Sequence, residues 1–229
     1  MKRNKIFMRH QNYFKRGSIL QFVSVGVMLI SVALFVFGWS YFSYIQFFVL
    51  LPAGIALLVF HSLTTAAEGD IDRYLAERTQ TLCPTWFEKN GRQKELLKAP
   101  APVYTDGYEY REGTMLRRDK KGLLRSTSYT KAILYPKADA LGIVAQTVSL
   151  VSEESEERDV QIPYASIRNL ALVREKKSLA VGKKSTSVTV ERLVIEYGEG
   201  ETLAVPMRDS VDTDTWIEKI RALIQKAQE

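Results

Sequence analysis

Histidine and cysteine are nearly absent from this 229-residue sequence. The histidines are His10 and His61, and the one cysteine is Cys83. A catalytic triad or a metal site built on several histidines is therefore excluded after residue 68, and no intrachain disulfide can form. A P-loop and a strand-linked GxGxxG motif are also missing. We predict no catalytic residue, no metal and no cofactor, and a protein that is not an enzyme.

Charged side chains are absent from residues 17–67, a run of 51 residues. A spanning helix needs about 20 mostly apolar residues, so this run has room for two helices and a turn. We predict a transmembrane hairpin over residues 18–63, with spans at about 18–38 and 45–63. The uncharged aromatic linker Trp39–Tyr44 suits the far membrane interface.

Two other interpretations of this apolar run are a cleaved signal peptide and a buried hairpin of a soluble protein. A signal peptide has a shorter apolar region and is not followed by a second one. A helix buried on one side in a soluble core shows polar residues on its opposite side, and the first span does not. Both features favour the membrane hairpin.

Acidic residues are absent before residue 17, where six basic residues occur: Lys2, Arg3, Lys5, Arg9, Lys15 and Arg16. Such a cluster stays on the cytoplasmic side, so we predict an integral membrane protein with two spans and both termini cytoplasmic. The rest of the chain contains equal numbers of basic and acidic residues, 26 of each. The net charge of +6 is thus a signal of topology, and we predict no nucleic-acid partner.

Residues 64–98 are predicted to form a juxtamembrane helical linker. Apolar spacings of three and four predict a helix over Glu68–Leu82, ahead of Pro84. A second helical stretch is predicted over Trp86–Leu97, interrupted at Asn90 and Gly91. The prolines at 100 and 102 set the boundary of a compact domain.

Residues 103–229 are predicted to form an antiparallel domain that ends on a helix. The hydrophobic period changes to two, and β-branched and aromatic segments alternate with turns. The predicted strands are Val103–Tyr110, Gly113–Arg118, Ser128–Tyr135, Gly142–Val151, Asp159–Ile162, Asn169–Glu175, Ser185–Val190, Leu193–Tyr197 and Thr202–Pro206. A helix then follows Asp212–Asp214, with one apolar stripe at Trp216, Ile217, Ile220, Leu223 and Ile224. The fold class is therefore two transmembrane helices followed by an α+β domain.

The segment Val160–Leu170 (VQIPYASIRNL), the strands Leu193–Tyr197 and Gly200–Val205, and the closing Trp216–Ile220 resemble bacterial pleckstrin-homology-like and GRAM-like domains. The resemblance implies an antiparallel β-barrel or sandwich capped by the C-terminal helix, in a bacterial inner or plasma membrane. It covers roughly residues 103–229. The helical region before residue 97 departs from it.

The sequence contains one leading candidate for lipid or partner binding, a basic cluster of Arg117, Arg118, Lys120, Lys121 and Arg125 around Gly122. We expect it in a hairpin loop between early strands, where basic side chains near a membrane attract anionic lipid. A second basic region contains Arg174, Lys176, Lys177, Lys183 and Lys184. The acidic residues Glu153, Glu154, Glu156, Glu157 and Asp159 are predicted to form a solvated loop, because they lack the spacing of a calcium-binding loop.

These features predict a membrane-anchored interaction module that binds a protein partner or anionic lipid headgroups. The alternative is an accessory subunit of a larger membrane complex that docks through its hairpin. Self-association of the hairpin through the small residues Ala53, Gly54 and Ala56 also stays open.

Overall fold

The structure, a computed structural model, describes residues 2–16, 19–37, 41–96, 100–181, 184–207 and 211–229. The chain divides into two compact units. The first contains residues 1–73 and the short segment Leu150–Ser152, and the second contains residues 74–149 and 153–229. Helices form most of the first unit, and antiparallel strands form most of the second.

The basic N-terminus, predicted only as a charged flank, is a helix, α1 (Lys2–Arg16). Its buried residues include Tyr13 and Phe14, whose rings meet edge to face at 5.1 Å. The Arg9 guanidinium lies 3.0 Å from the Asp70 carboxylate, so this basic residue forms an ion pair inside the unit. The charge of this segment was therefore predictable from its residues, whereas its packing was not.

Helices α2 (Ile19–Phe37) and α3 (Tyr41–Thr64) lie where the two spans were predicted. Both are long and apolar enough to cross a membrane. Pro52 lies inside α3, as expected. The predicted linker was too long, because residues 41–44 already belong to α3, whereas its residues 39–40 lie outside the described part of the chain.

Helices α2 and α3 pack through small and polar residues and expose their apolar side chains. Among the described residues of the two helices, the buried ones are Ser24, Ser31 and Gly54. The Ser31 hydroxyl donates to the carbonyl of Phe47 on the facing helix at 3.3 Å. Large side chains point outward, with Phe22 73%, Leu29 66% and Phe48 70% exposed. This arrangement is typical of helices that pack against each other in lipid.

The helices of the predicted linker, residues 64–98, are shorter than predicted. Helix α4 (Glu68–Arg78) ends before Leu82, and helix α5 (Trp86–Lys89) is followed by a short 3-10 helix, Gln93–Glu95. The predicted interruption is confirmed at Gly91, whose φ of +67° is in the region that favours glycine.

After residue 100, the described part of the second unit contains nine strands, a short 3-10 helix (Tyr164–Ser166) and one α-helix. The strands are β1 (Val103–Glu109), β2 (Leu116–Arg118), β3 (Leu124–Ser126), β4 (Ser128–Pro136), β5 (Ala140–Ser149), β6 (Ser155–Pro163), β7 (Ile167–Val181), β8 (Lys184–Tyr197) and β9 (Glu201–Pro206), followed by helix α6 (Val211–Gln228). One sheet has the order β1-β4-β5-β6 and another the order β7-β8-β9, while β2 and β3 form a separate hairpin. All pairings are antiparallel, as predicted.

The two larger sheets and α6 share one apolar core. The predicted stripe of α6 supplies Trp216, Ile217, Ile220 and Ile224 to this core, and Leu223 packs against it. The indole Nε1 of Trp216 also donates to the Ala101 carbonyl at 2.9 Å. The described strands close no barrel, so the core lies between separate sheets.

Several predicted strand limits were wrong. Ser185–Val190 and Leu193–Tyr197 belong to a single strand, β8, because β7 pairs with it along its whole length. Most of the predicted acidic loop is strand, since residues 155–159 pair with β5. Strand β3 was not predicted, because its three residues are recognisable only by their pairing with β2.

Replacement of Gly54 by valine is expected to destabilise the packing of α2 on α3. A Cβ atom on Gly54 would lie 2.6 Å from Met28 Cγ and 3.2 Å from the Ser24 carbonyl oxygen. Overpacking of this kind costs about 1–3 kcal/mol. The measurement is the unfolding free energy of the full chain in detergent micelles. Gly26→Val is the matched control, because a Cβ atom there meets nothing within 4 Å; equal losses in both variants would contradict the prediction.

Candidate functional site

The predicted basic cluster lies in the hairpin of β2 and β3, here called the basic hairpin (residues 116–126). Arg117 and Arg118 are on β2, Lys120 and Lys121 are in the turn, and Arg125 is on β3. Gly122 has a φ of +82°, which a turn of this shape requires and which glycine adopts without strain. The hairpin location was therefore predictable from the glycine and the flanking strand residues.

Asp119 organises the turn. Its Oδ1 accepts hydrogen bonds from the backbone N–H groups of Lys121 and Leu123, both at 2.9 Å. Its Oδ2 accepts from Arg125 Nε at 3.2 Å. Burial would raise the pKa of the Asp119 carboxyl, but the Leu123 N–H, the Arg125 guanidinium and the Lys121 N–H hold it below its ordinary value of 3.8. In the sequence this aspartate only interrupts the basic run, whereas in the structure it holds the hairpin together.

Arg125 differs from the other members of the predicted cluster, because its side chain is buried. This side chain pairs with Asp119 and donates through Nη1 to the Tyr108 hydroxyl at 3.3 Å. The physical reason is that β3 turns this side chain inward, where the aspartate and the tyrosine replace its hydration.

The exposed tip of the basic hairpin contains Lys120, Lys121 and Leu123, the last 55% exposed. Arg118 is also exposed, and its guanidinium donates to the Gly122 carbonyl at 2.7 Å and to the Thr186 hydroxyl of β8 at 3.0 Å. Arg117 is half-buried. The structure thus places two cationic side chains and one apolar side chain on a turn that is held by hydrogen bonds of Arg118 and Asp119.

The second basic region is largely neutralised by its own acidic neighbours. Arg174 pairs with Glu191 at 3.3 Å, and Lys177 pairs with Glu175 at 3.4 Å. Lys176 is exposed on β7, Lys184 begins β8, and Lys183 lies outside the described residues. This region is therefore a weaker candidate for anion binding than the tip of the basic hairpin.

A cleft of about 430 Å³, here called the β6 cleft, lies beside β5 and β6. Its apolar walls include Leu82, Trp86 and Val144, and its polar rim includes Gln146, Glu157 and Asp159. Leu82 and Trp86 come from the helical segment before the sheet domain, and the other residues come from β5 and β6. Sequence reasoning missed this cleft because it is formed by residues far apart in the chain.

Strand β6 lies at the edge of its sheet, next to the β6 cleft. Its register with β5 continues without a bulge from Ala140 opposite Pro163 to Val148 opposite Ser155. Within the described ranges, no other strand pairs with it. The strand predicted over Asp159–Ile162 covers only the second part of β6, because the carboxylates before it suggested a loop.

The histidines and the cysteine occupy separate places. Burial lowers the pKa of His10, whose Nδ1 lies 2.8 Å from the Leu150 carbonyl oxygen. The Thr85 hydroxyl, 3.0 Å from the Cys83 sulfur, lowers the pKa of that thiol. His61 lies in the last turn of α3. In the part of the chain that the structure describes, no group of three or more His, Cys, Asp or Glu residues is placed to hold a metal ion.

Comparison with protein-family models gives no match, and comparison with curated proteins gives none either. The function of the basic hairpin and of the β6 cleft must therefore be inferred from their geometry.

The contribution of Asp119 to stability is expected to depend on pH. Because the pKa of Asp119 is lowered in the folded chain, its contribution is complete above the ordinary pKa of 3.8 and is lost as the pH falls through the folded value. The difference in unfolding free energy between the wild type and Asp119→Asn should therefore shrink between about pH 5 and about pH 3. Urea unfolding of the full chain in detergent measures it. Glu112→Gln, at an exposed position, is the matched control; the same pH profile in both variants would contradict the prediction.

Proposed function

We propose that this chain is a membrane-anchored interaction module whose sheet domain binds a protein partner on the cytoplasmic side. A four-stranded sheet, a three-stranded sheet and a terminal helix support the resemblance to pleckstrin-homology-like and GRAM-like domains. The two exposed apolar helices support membrane anchoring. Anchoring raises the effective concentration of the domain near any partner at the same membrane.

The observation that carries the proposal is the open edge of β6 beside the β6 cleft. An unpaired edge strand presents a row of backbone donors and acceptors. A neighbouring cleft with apolar walls and a polar rim adds pockets for side chains. An extended segment of another protein can use both features together.

The proposed orientation puts Cys83 and the whole sheet domain in the cytoplasm. The six basic residues of the N-terminal flank, all within α1, favour this side. A membrane-impermeant maleimide added to intact cells is therefore expected to leave Cys83 unlabelled, and to label it after the membrane is opened. Labelling of Cys83 in intact cells would contradict the orientation.

The proposed function predicts that the full chain captures the same protein partner repeatedly. The chain is cross-linked in cells, purified in mild detergent, and its co-purified proteins are identified by mass spectrometry. Replacement of residues 18–63 by an unrelated two-span anchor should leave the capture unchanged. Capture that depends on the original hairpin would favour the accessory subunit instead, and repeated failure to capture any protein would contradict both.

Anionic lipid headgroups are a second candidate ligand, favoured by the tip of the basic hairpin. Lys120, Lys121 and Leu123 are exposed there, and a basic residue near an anionic surface gains about 1 kcal/mol. A separate experiment tests this candidate by measuring hydrogen exchange of the full chain in nanodiscs. Slower hydrogen exchange of residues 119–123 in anionic than in neutral nanodiscs, abolished in Lys120→Glu/Lys121→Glu, would support it, and equal exchange would exclude it.

A further inference from the structure

We propose that residues 185–190 of β8 bind an extended, acidic segment of another protein as an added antiparallel strand, with a carboxylate of that segment paired with Arg118. This site lies on the other sheet and goes beyond the proposed function, because it does not involve β6 or the β6 cleft. It is carried by the open edge of β8, the direction of its backbone groups and the charge of Arg118.

The outer edge of β8 is open over residues 185–190. Strand β7 pairs with β8 along its whole length, whereas β9 pairs with it only over residues 192–197. Next to that pairing, the Met207 N–H donates to the Glu191 carbonyl at 3.2 Å. In the described ranges, no strand pairs with residues 185–190 on the side of β9.

Alternate residues of β8 turn their backbone groups toward this open side. In an antiparallel strand, the N–H and C=O of one residue point the same way, and successive residues alternate. Because the Glu191 carbonyl accepts from Met207 on the side of β9, the odd-numbered residues of β8 point to that side. Ser185, Ser187 and Thr189 therefore present their N–H donors and C=O acceptors to an added strand.

The sequence of this edge, Ser-Thr-Ser-Val-Thr-Val, lacks the features that usually protect an edge strand. Natural edges commonly carry charged residues, proline or a bulge. Residues 185–190 contain no charged residue and no proline. Their register with β7 is continuous, and an irregularity of that ladder lies at its other end, between Ile167 and Asn169. Threonine and valine also favour extended backbone. The segment is therefore suited to pairing with a further strand.

Arg118 of the basic hairpin supplies a charge beside this edge. Its guanidinium donates to the Thr186 hydroxyl at 3.0 Å and to the Gly122 carbonyl at 2.7 Å, and both acceptors are neutral. The side chain is exposed, and it forms no ion pair within the part of the chain that the structure describes. Its positive charge is therefore available to an anionic group at the edge.

The carboxylates around this edge already have cationic partners. These pairs are Glu175 with Lys177 at 3.4 Å, Glu191 with Arg174 at 3.3 Å, and Asp119 with Arg125 at 3.2 Å. Lys176 on β7 and Lys121 in the turn of the basic hairpin are exposed as well. The edge therefore favours an acidic segment over a basic one, because complementary charges select the partner.

Thr186 sets the position of the carboxylate in the added strand. The N–H and C=O of Thr186 point to β7, so the residue opposite it forms a non-hydrogen-bonded pair, in which side chains are closer. Residues directly opposite each other share a face, with Cβ atoms about 4.5–5.5 Å apart. A glutamate at this position therefore lies on the same face as the Arg118 guanidinium, with which it can form a charge-assisted pair.

A second copy of this chain fits the edge less well. Residues 185–190 contain no carboxylate that could pair with Arg118 of the other copy. Antiparallel pairing of two β8 edges about a two-fold axis at residue 186 or 187 also places both Arg118 side chains on one face near the axis. Like charges at such a pairing are destabilising. The edge therefore favours a different chain over self-association.

The test measures binding of a defined peptide to the full chain in neutral nanodiscs. The probe is a rhodamine-labelled, end-blocked nine-residue peptide of alternating threonine and valine with a central glutamate, followed by fluorescence anisotropy. We expect at least about tenfold weaker binding of the same peptide with a central glutamine. Arg118→Gln should weaken the glutamate peptide by a similar factor and leave the glutamine peptide unchanged. Lys121→Gln is the matched control, because it removes an exposed cation of the same hairpin, and it should leave both peptides unchanged.

Hydrogen exchange at single residues tests the strand addition itself. The glutamate peptide should slow exchange of the outward amides of Ser185, Ser187 and Thr189, and the same peptide with alternate backbone nitrogens methylated should not. No binding, equal losses in Arg118→Gln and Lys121→Gln, or unchanged exchange at these amides would overturn the inference. Dimers of the free chain in detergent that are lost in Ser187→Pro would identify a second copy as the occupant and would overturn it as well.

Discussion

The sheet domain depends on the burial of both faces of β5. On one face, Leu141, Ile143 and Ala145 enter the core shared with the second sheet and α6. On the other face, Val144 joins a cluster with Leu82 and Phe87, which also holds Ile133 and Tyr135 of β4. Antiparallel sheets commonly leave one face in water. Because β5 is buried on both faces, this sheet needs a covering layer on each side. The segment of residues 82–96 supplies that second cover.

This second cover also explains where the candidate partner site lies. The second cover is formed by the helical region before residue 97. Arg92 fixes it to the sheet through Asp159 and the Tyr135 hydroxyl, and lies 5.4 Å from the centre of the Trp86 ring. Leu82 and Trp86 of this cover, together with residues of β5 and β6, line the β6 cleft. The same packing that completes the domain therefore also forms this cleft.

Local patterns were sufficient for the elements that depend on composition alone. Helices α2, α3 and α6 lie close to their predicted positions, because a long apolar run or a single apolar stripe specifies a helix wherever it packs. Residues whose role depends on a distant partner were predicted less well. Arg125 was named as a candidate for lipid or partner binding, and its burial accompanies contacts with Asp119 and Tyr108. Glu156 and Glu157 were taken for part of a loop, and pairing with β5 places them in a strand.

The amino-acid sequence by itself determined the two apolar helices, the excess of basic charge at the N-terminus and the change to short antiparallel strands. These properties depend on hydrophobicity, charge and period, which neighbouring residues carry in any context. The tertiary structure decided which charges are exposed, where the sheet ends and what lies beside that edge. Burial and strand pairing join residues that are far apart in the chain, such as Trp86 and Glu157 in the walls of one cleft. No local pattern contains that information.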